Sequence, residues 1–355
     1  MTPAAPHVAN MAAYALATLD APEGKRLISL AQNESFRPSS PKVVARASEA
    51  AAAAHLYPDP DWRELRGVLS DLHQISDAAI LCGNGSMELI AALTQAYAHE
   101  GAAVLAPAHA YPFFRTAAQQ ARARFDTAPE GKAGVSIDAL LDAVRPDTGL
   151  VFVANPGNPT GARVSRTELL RLRGNLPSDV LLVVDEAYGE FADHLGELVF
   201  DMIEASDTVV LRTFSKAYDL AGLRIGWGLF PPAIRSEVRK LLTPNAVSCV
   251  GQAAALATAQ DQTYMRATCT QTRVAHDGLI ARLRGDGVNV GDSFTNFALI
   301  RLGAVDAAQR AHNALNAEGI VARAQAGAGL PNCLRLTIAD PETLDLTARI
   351  PRRWA

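Results

Sequence analysis

The sequence is short of lysine. Only five of its 33 basic side chains are lysine (Lys25, Lys42, Lys132, Lys216 and Lys240), and the other 28 are arginine. Amine chemistry therefore has few candidates, and each can be inspected in turn. Cysteine is scarce as well: Cys82, Cys249, Cys269 and Cys333 stand far apart, with no CxxC pair. That spacing excludes a structural zinc site and a disulfide scaffold, and reduced thiols are expected. No apolar run approaches the ~20 residues that span a bilayer. The N-terminus lacks a basic start followed by an apolar stretch, which argues against a signal peptide. There is no cluster of lysine or arginine and the formal net charge is -4, so the footprint of a nucleic-acid binder is missing. The expectation is a soluble, cytoplasmic protein.

What is present is ordinary globular material. The chain has 355 residues, 49% of them hydrophobic and 20% charged, enough for about two domains and a large core. Short apolar segments, Ala102–Ala106, Leu150–Ala154, Val180–Val184 and Thr208–Thr213, read as strands buried on both faces. Helix-like stretches separate them: Ser86–His99, Phe113–Ala123, Ser165–Gly174 and Pro232–Leu242. The Ser165–Glu168 pair has capping-box spacing. This βαβα rhythm predicts an α/β fold with a mostly parallel sheet between helices. Beyond Pro244 the pattern becomes α+β: a long helical stretch from Val250 to about Arg284, then strands at Ser293–Leu302, Ile320–Arg323 and Cys333–Ile338. The expected organisation is a large domain over 46–245, with 1–45 and 246–355 forming a smaller α+β domain.

In open α/β sheets ligands bind at the carboxyl ends of strands, and here those ends carry an unusual collection. Gly83-Asn84-Gly85-Ser86 opens a helix, and His109-Ala110-Tyr111 follows another strand. Asn155-Pro156-Gly157-Asn158-Pro159-Thr160-Gly161, Asp185-Glu186-Ala187-Tyr188 and Thr213-Phe214-Ser215-Lys216 follow three more, with Leu223-Arg224 close behind. Each alone has a plain explanation. Gly83–Ser86 reads either as a turn with a serine N-cap or as an anion cradle. Asp185 reads as another N-cap, and Tyr111 as a packed aromatic. Four lysines lie in solvated contexts: Lys25 in a Pro/Gly turn, Lys42 beside Pro41, Lys132 within Glu130-Gly131-Lys132, and Lys240 on an amphipathic helix. Lys216 differs, because it follows a buried strand and has Arg224 nearby. Such a lysine has a lowered pKa, the condition for an amine that forms a Schiff base. Five such loops at one sheet edge favour the functional reading.

The segments NPGNPTG, VVDEAY and TFSKAYDLAGLRIGWG resemble the signatures of fold-type I pyridoxal-phosphate aminotransferases. SLAQNES, YPDPDWRELR, GNGSMELI, TNFALIR and LRLTIADPE resemble, more closely, histidinol-phosphate aminotransferases, in the expected order from Leu27 to Thr343. The resemblance implies pyridoxal 5'-phosphate held on Lys216, which then moves the proton during transamination. It implies Asp185 against the pyridine nitrogen, Tyr111 stacked on the ring, and Asn158 and Tyr188 at its phenolic oxygen. Gly85, Ser86, the Met87 backbone, Ser215 and Arg224 would take the phosphate. Tyr57 would reach the phosphate of a neighbouring subunit, which implies a homodimer with shared sites. Arg335 would bind a substrate carboxylate and Arg323 a distal phosphate, the plain alternative for both being solvent-facing strand residues. Asn33 and Glu34 would belong to a segment that closes over the site, with Tyr14 a further substrate contact. The sequence departs from the family pattern at Met87, at Tyr218-Asp219, at Asn245–Ser248 and in its N-terminal opening. The expected partners are an amino donor, histidinol phosphate foremost, and 2-oxoglutarate as acceptor. An aromatic or other amino-acid aminotransferase and a decarboxylase of a phosphorylated amino acid are the alternatives. A ligand-sensing module, the reading from another class, is disfavoured by the slight negative charge and by the intact Lys216 and Asp185.

Overall fold

A computed structural model describes residues 2–131, 134–205 and 207–349. Lys132 lies outside the described residues. The other three lysines set aside above are on the surface: Lys25 pairs with Glu318 at 2.9 Å, Lys42 with Asp261 at 3.8 Å and Lys240 with Glu237 at 2.6 Å.

A short strand β1 (Ile28–Ser29) comes first in the chain and belongs to the smaller part of the molecule. The main sheet follows as β2 (Ile80–Gly83), β3 (Ala103–Pro107), β4 (Arg124–Ala128), β5 (Thr148–Ala154), β6 (Leu181–Asp185), β7 (Thr208–Thr213) and β8 (Gly226–Leu229). Their spatial order is β2-β8-β7-β6-β5-β3-β4. β8 is antiparallel to β2 and β7, and the remaining pairs are parallel. Leu181–Asp185 and Thr208–Thr213 are buried at every position, as continuous apolar strands covered on both faces must be. The helices take their starts from small polar caps. Ser165 Oγ accepts from the Glu168 N–H at 3.3 Å and opens the helix Arg166–Asn175. The Glu168 carboxylate does not reciprocate: it takes the Arg171 guanidinium instead. The result is an α/β/α sandwich.

The smaller sheet is built from β9 (Asn289–Val290), β10 (Phe297–Arg301), β12 (Arg323–Gln325) and β13 (Leu330–Thr337), all antiparallel, in the order β12-β13-β10-β9. β11 (Ile320–Val321) pairs instead with β1, in parallel. A second core of Leu30, Leu279, Leu283, Val290, Ile300, Leu336 and Leu344 fills this part.

Packing places the division elsewhere than at 245. The expected long helix breaks at Asp261 into Cys249–Gln260 and Gln262–Gly285. Ala254, Ala255, Ala257, Ala259 and Met265 join the core of the large sheet, whereas Leu279, Ile280 and Leu283 join the second core. The 24-residue helix Gln262–Gly285 therefore spans both cores, and the change of partner falls within it. The N-terminal segment is shared too. Tyr14 meets Phe113 of the large domain edge-on, with ring centroids 6.1 Å apart, while Ile28–Leu30 joins the small one. No helix among the described residues is long and apolar enough to cross a membrane.

Candidate active site

Between the two cores, at the carboxyl ends of β5, β6 and β7, lies a cavity of about 300 Å3. Ser86, Met87, Tyr111, Asn158, Asp185, Tyr188, Ser215, Lys216 and Arg224 line it from the large domain. Tyr14, Asn33, Arg323 and Arg335 line it from the N-terminal segment and the small sheet. Gly85 precedes Ser86 at the helix start. Tyr57 is not in the cavity; it is 88% exposed on the loop after the helix Pro41–Ala51.

One end of the cavity is made of donors. The helix Ser86–Tyr97 begins at Gly85, whose φ is +79°, a region few residues but glycine adopt. A Cβ there would meet Arg224 Nη2 at 2.7 Å, so glycine lets the guanidinium close onto the turn. Arg224 Nη1 donates to Ser215 Oγ at 3.3 Å, and Thr213 Oγ1 donates to the same oxygen at 3.0 Å. First-turn N–H groups, two hydroxyls and a guanidinium suit a phosphate monoester, while the first-turn carboxylate of Glu88 is turned back onto the Asn84 N–H at 2.6 Å. Met87 offers its backbone, since its side chain packs against the core.

In the middle stands Lys216. Its Nζ donates to the carbonyls of Gln32 at 3.1 Å and Asn33 at 3.0 Å and lies 5.8 Å from the centre of the Tyr188 ring. Burial, then the charges of Arg335 and Arg224, push its pKa down to about 7, against a pull from Glu34. Asp185 ends β6, is 4% exposed, and accepts from the Ala187 N–H at 3.2 Å. Burial and the adjacent Glu186 raise its carboxyl to about 7. That carboxyl is set to answer a cationic N–H arriving in the cavity. Tyr188 accepts from Asn33 Nδ2 at 2.7 Å, and burial raises its phenol to about 12. Tyr111 immediately precedes the helix Pro112–Gln120 and meets Phe114 edge-on at 5.6 Å.

The far end is cationic. Arg323 and Arg335 stand opposite each other in the β12–β13 register. Arg335 donates from Nη1 to Asn158 Oδ1 and from Nη2 to the Ala31 carbonyl, both at 2.6 Å, while its buried Nε has no partner among the described residues. Arg323 donates to the Ala15 carbonyl. Both therefore face the cavity rather than bulk solvent. Like charges directly opposite on a sheet are unfavourable unless an anion lies between them.

Sequence reasoning did not find the Gln32 and Asn33 carbonyls, which carry no side-chain signal. It also passed over Gln325, and it quoted Thr213 in the strand-end loop without giving it a role, though both line the cavity. Thr213 could have been found, since it ends β7 three residues before the lysine.

Residues 25–349 match the family model described as aminotransferase class I and II. The chain belongs to the class I and II aminotransferases. This aminotransferase is 39% identical over 332 residues to a histidinol-phosphate aminotransferase of Erythrobacter litoralis, covering 92% of this chain and 90% of that one. It is 36% identical to one from Rhodospirillum centenum, covering 98% and 97% respectively. The crystal structure of histidinol-phosphate aminotransferase from Sinorhizobium meliloti in complex with pyridoxal-5'-phosphate superposes with a TM-score of 0.92. That match has 27% identity and covers 100% of this chain and 98% of that one. The fold is thus that of fold-type I aminotransferases, and the activity is transamination.

Proposed function

We propose that this aminotransferase uses pyridoxal 5'-phosphate on Lys216 to move an amine from histidinol phosphate to 2-oxoglutarate. The observation that carries the reading is a buried lysine, its pKa pushed down to about 7, that shares one cavity with a helix-start cradle and two opposed arginines. Gly85, Ser86, the Met87 backbone, Ser215 and Arg224 would hold the cofactor phosphate, with Tyr57 of a second subunit reaching it. Asp185 would pair with the ring nitrogen, Tyr111 would cover the ring, and Asn158 and Tyr188 would face its phenolic oxygen. When bound, the cofactor supplies an aldehyde and an electron-withdrawing ring.

The protein's own groups do the rest. Lys216 Nζ, an amine able to lose its proton, would take the proton from the substrate Cα and deliver it to the cofactor carbon that had carried the aldehyde. Arg335 presents two N–H groups for a carboxylate, and Arg323 stands ready for the donor's phosphate. Asn33 and Glu34 cover the lysine from the N-terminal side. Val44, Leu56 and Tyr57 are exposed apolar side chains close together in the chain, which supports a homodimer.

Mixing the holoenzyme with single donors and following its visible absorbance tests the reading. Histidinol phosphate should change the spectrum at once. If it leaves the spectrum unchanged while phenylalanine alters it, the donor is an aromatic amino acid. Release of CO2 in place of an oxo product would mark a decarboxylase.

A further inference from the structure

Asn33 lies on the stretch of chain that crosses between the two cores, and its polar groups are divided between them. It is 1% exposed, with φ +56°, a left-handed conformation that asparagine accepts more readily than most side chains. The small domain holds its backbone. The Asn33 N–H donates to Thr337 Oγ1 at 3.0 Å, and the Asn33 carbonyl accepts from Asn296 Nδ2 at 3.0 Å. Thr337 is itself tied to the same stretch, because its hydroxyl and its N–H both donate to the Leu30 carbonyl, at 2.8 and 2.9 Å. Asn296 is anchored through its carbonyl, which accepts from the Ile338 N–H at 2.8 Å.

The side chain goes the other way. Asn33 Nδ2 donates to the Tyr188 hydroxyl at 2.7 Å. Tyr188 belongs to the core of the large domain, is 4% exposed, and stands three residues after Asp185. Phe297 meets its ring edge-on, with centroids 5.2 Å apart. A phenol has one proton to give and lone pairs with which to receive. Because Asn33 donates into the oxygen, the Tyr188 proton is not spent on that contact. It is left for an acceptor in the cavity that Asn158, Asp185 and Lys216 also line. The contact therefore persists when a ligand fills the cavity. A carboxylate in place of the amide would take the Tyr188 proton for itself.

We propose that Asn33 is a positioning residue: held by Thr337 and Asn296, it fixes the Tyr188 hydroxyl as a donor toward the phenolic oxygen of the bound cofactor. Through this one side chain the small sheet acts on a group of the large domain. The role depends on the ring placement given above and not on the identity of the amino donor. The aldehyde that Lys216 takes up is attached to the ring next to the phenolic oxygen. A donor on that oxygen draws off negative charge, so the oxygen holds a proton at the Lys216 nitrogen less tightly. The nitrogen then loses its proton at lower pH.

The test titrates substrate-free holoenzyme by its visible absorbance. It compares Tyr188→Phe, Asn33→Ala, Thr337→Val, Thr337→Ser and the double variant Asn33→Ala/Tyr188→Phe with the parent. Tyr188→Phe should move the midpoint up by about one pH unit, the weight of one hydrogen bond to a charged acceptor. Asn33→Ala and Thr337→Val should move it the same way by less, and Thr337→Ser, which keeps the hydroxyl, should titrate with the parent. In the double variant Asn33→Ala should add nothing to Tyr188→Phe, as expected when one group acts through the other. A parental midpoint in Asn33→Ala alongside a shifted Tyr188→Phe would overturn the proposal. So would additive shifts in the double variant, since Asn33 would then act on the cofactor without the phenol. A Thr337→Val variant that lost Tm and kept the parental midpoint would overturn the holding role of Thr337. An unmoved midpoint in Tyr188→Phe would overturn the ring placement, and this role with it. The Thr337 variants leave Asn33 in place, so they read the same link even if Asn33→Ala does not fold.

Discussion

Two buried cations stand four residues apart around the end of β7, and the protein treats them oppositely. Arg212 is 1% exposed, with Glu186, Glu190 and Asp193 around it. Its Nε and Nη2 donate to Glu186 at 3.0 and 2.8 Å, and Nη1 and Nη2 to Asp193 at 3.0 and 2.9 Å. Among the described residues Lys216 has no ion pair; its Nζ donates to two carbonyls, and the charges of Arg335 and Arg224 outweigh the single opposing charge of Glu34. The first arrangement raises the cation's pKa further, and the second lowers it. Burial alone therefore does not decide what a cation does; the sign of its neighbours does. Arginine suits the first site because its charge is permanent, and lysine the second because its charge is not.

The largest test exchanges the two chemistries. Lys216→Arg keeps the charge and the length but cannot lose a proton, so kcat should fall by roughly 10⁴-fold. Substantial turnover by that variant would break the contrast. Next comes Arg212→Met, which leaves three carboxylates around an apolar chain. Removing one partner of a buried ionic cluster costs about 3–5 kcal/mol, and urea unfolding would read it. Because Glu186 adjoins Asp185 and the cluster loop carries Tyr188, cofactor affinity should weaken along with stability. Arg335→Lys is smaller and more local. It keeps one charge but loses the bidentate fork and the reach to both Asn158 and Ala31, so kcat/KM should drop by about 10–100-fold, mostly through KM.

Legibility followed the same division. The parallel strands announced themselves because β5, β6 and β7 are apolar at nearly every position. β8 did not, because its sequence is Gly-Trp-Gly-Leu. A Cβ on Gly226 would lie 2.4 Å from the Ser86 nitrogen, so a close approach removed the residues that mark a strand. The cavity side chains were readable from the sheet edge, since Asp185 and Lys216 are ionisable groups directly after buried runs. The carbonyls under Lys216 and the Arg212 cluster were not, because backbone groups and partners 19 to 26 residues apart leave no local pattern. The division between domains was misplaced at 245 because an Ala-rich helix looks alike whichever core it packs on. Only Met265 and Leu279, on opposite sides of the change, reveal it.

The smallest effect is also the most diagnostic, because it reads the lysine without catalysis. In the cofactor-free protein Lys216 titrates near 7 when folded and near 10.5 when unfolded. Between those values the unfolded chain binds more protons, so stability contributed by this group rises with pH, is complete above 10.5 and disappears as pH falls through 7. Asp185 and Glu190 run the other way. Burial raises both carboxyls, Asp185 to about 7 and Glu190 against the opposing charge of Arg212, so the Asp185 contribution is present at low pH and disappears as pH climbs to 7. Stability of the cofactor-free protein should therefore pass through a shallow minimum near neutrality. Lys216→Met should flatten the alkaline limb by on the order of 1–2 kcal/mol, and Asp185→Asn should shrink the acid limb, with Glu190 keeping part of it. Arg212, charged throughout, adds no slope of its own. Thermal unfolding across pH 4–10 would show whether the two limbs can be removed separately. If Lys216→Met left the alkaline limb unchanged, the lysine would be an ordinary cation, and its contrast with Arg212 would rest on geometry alone.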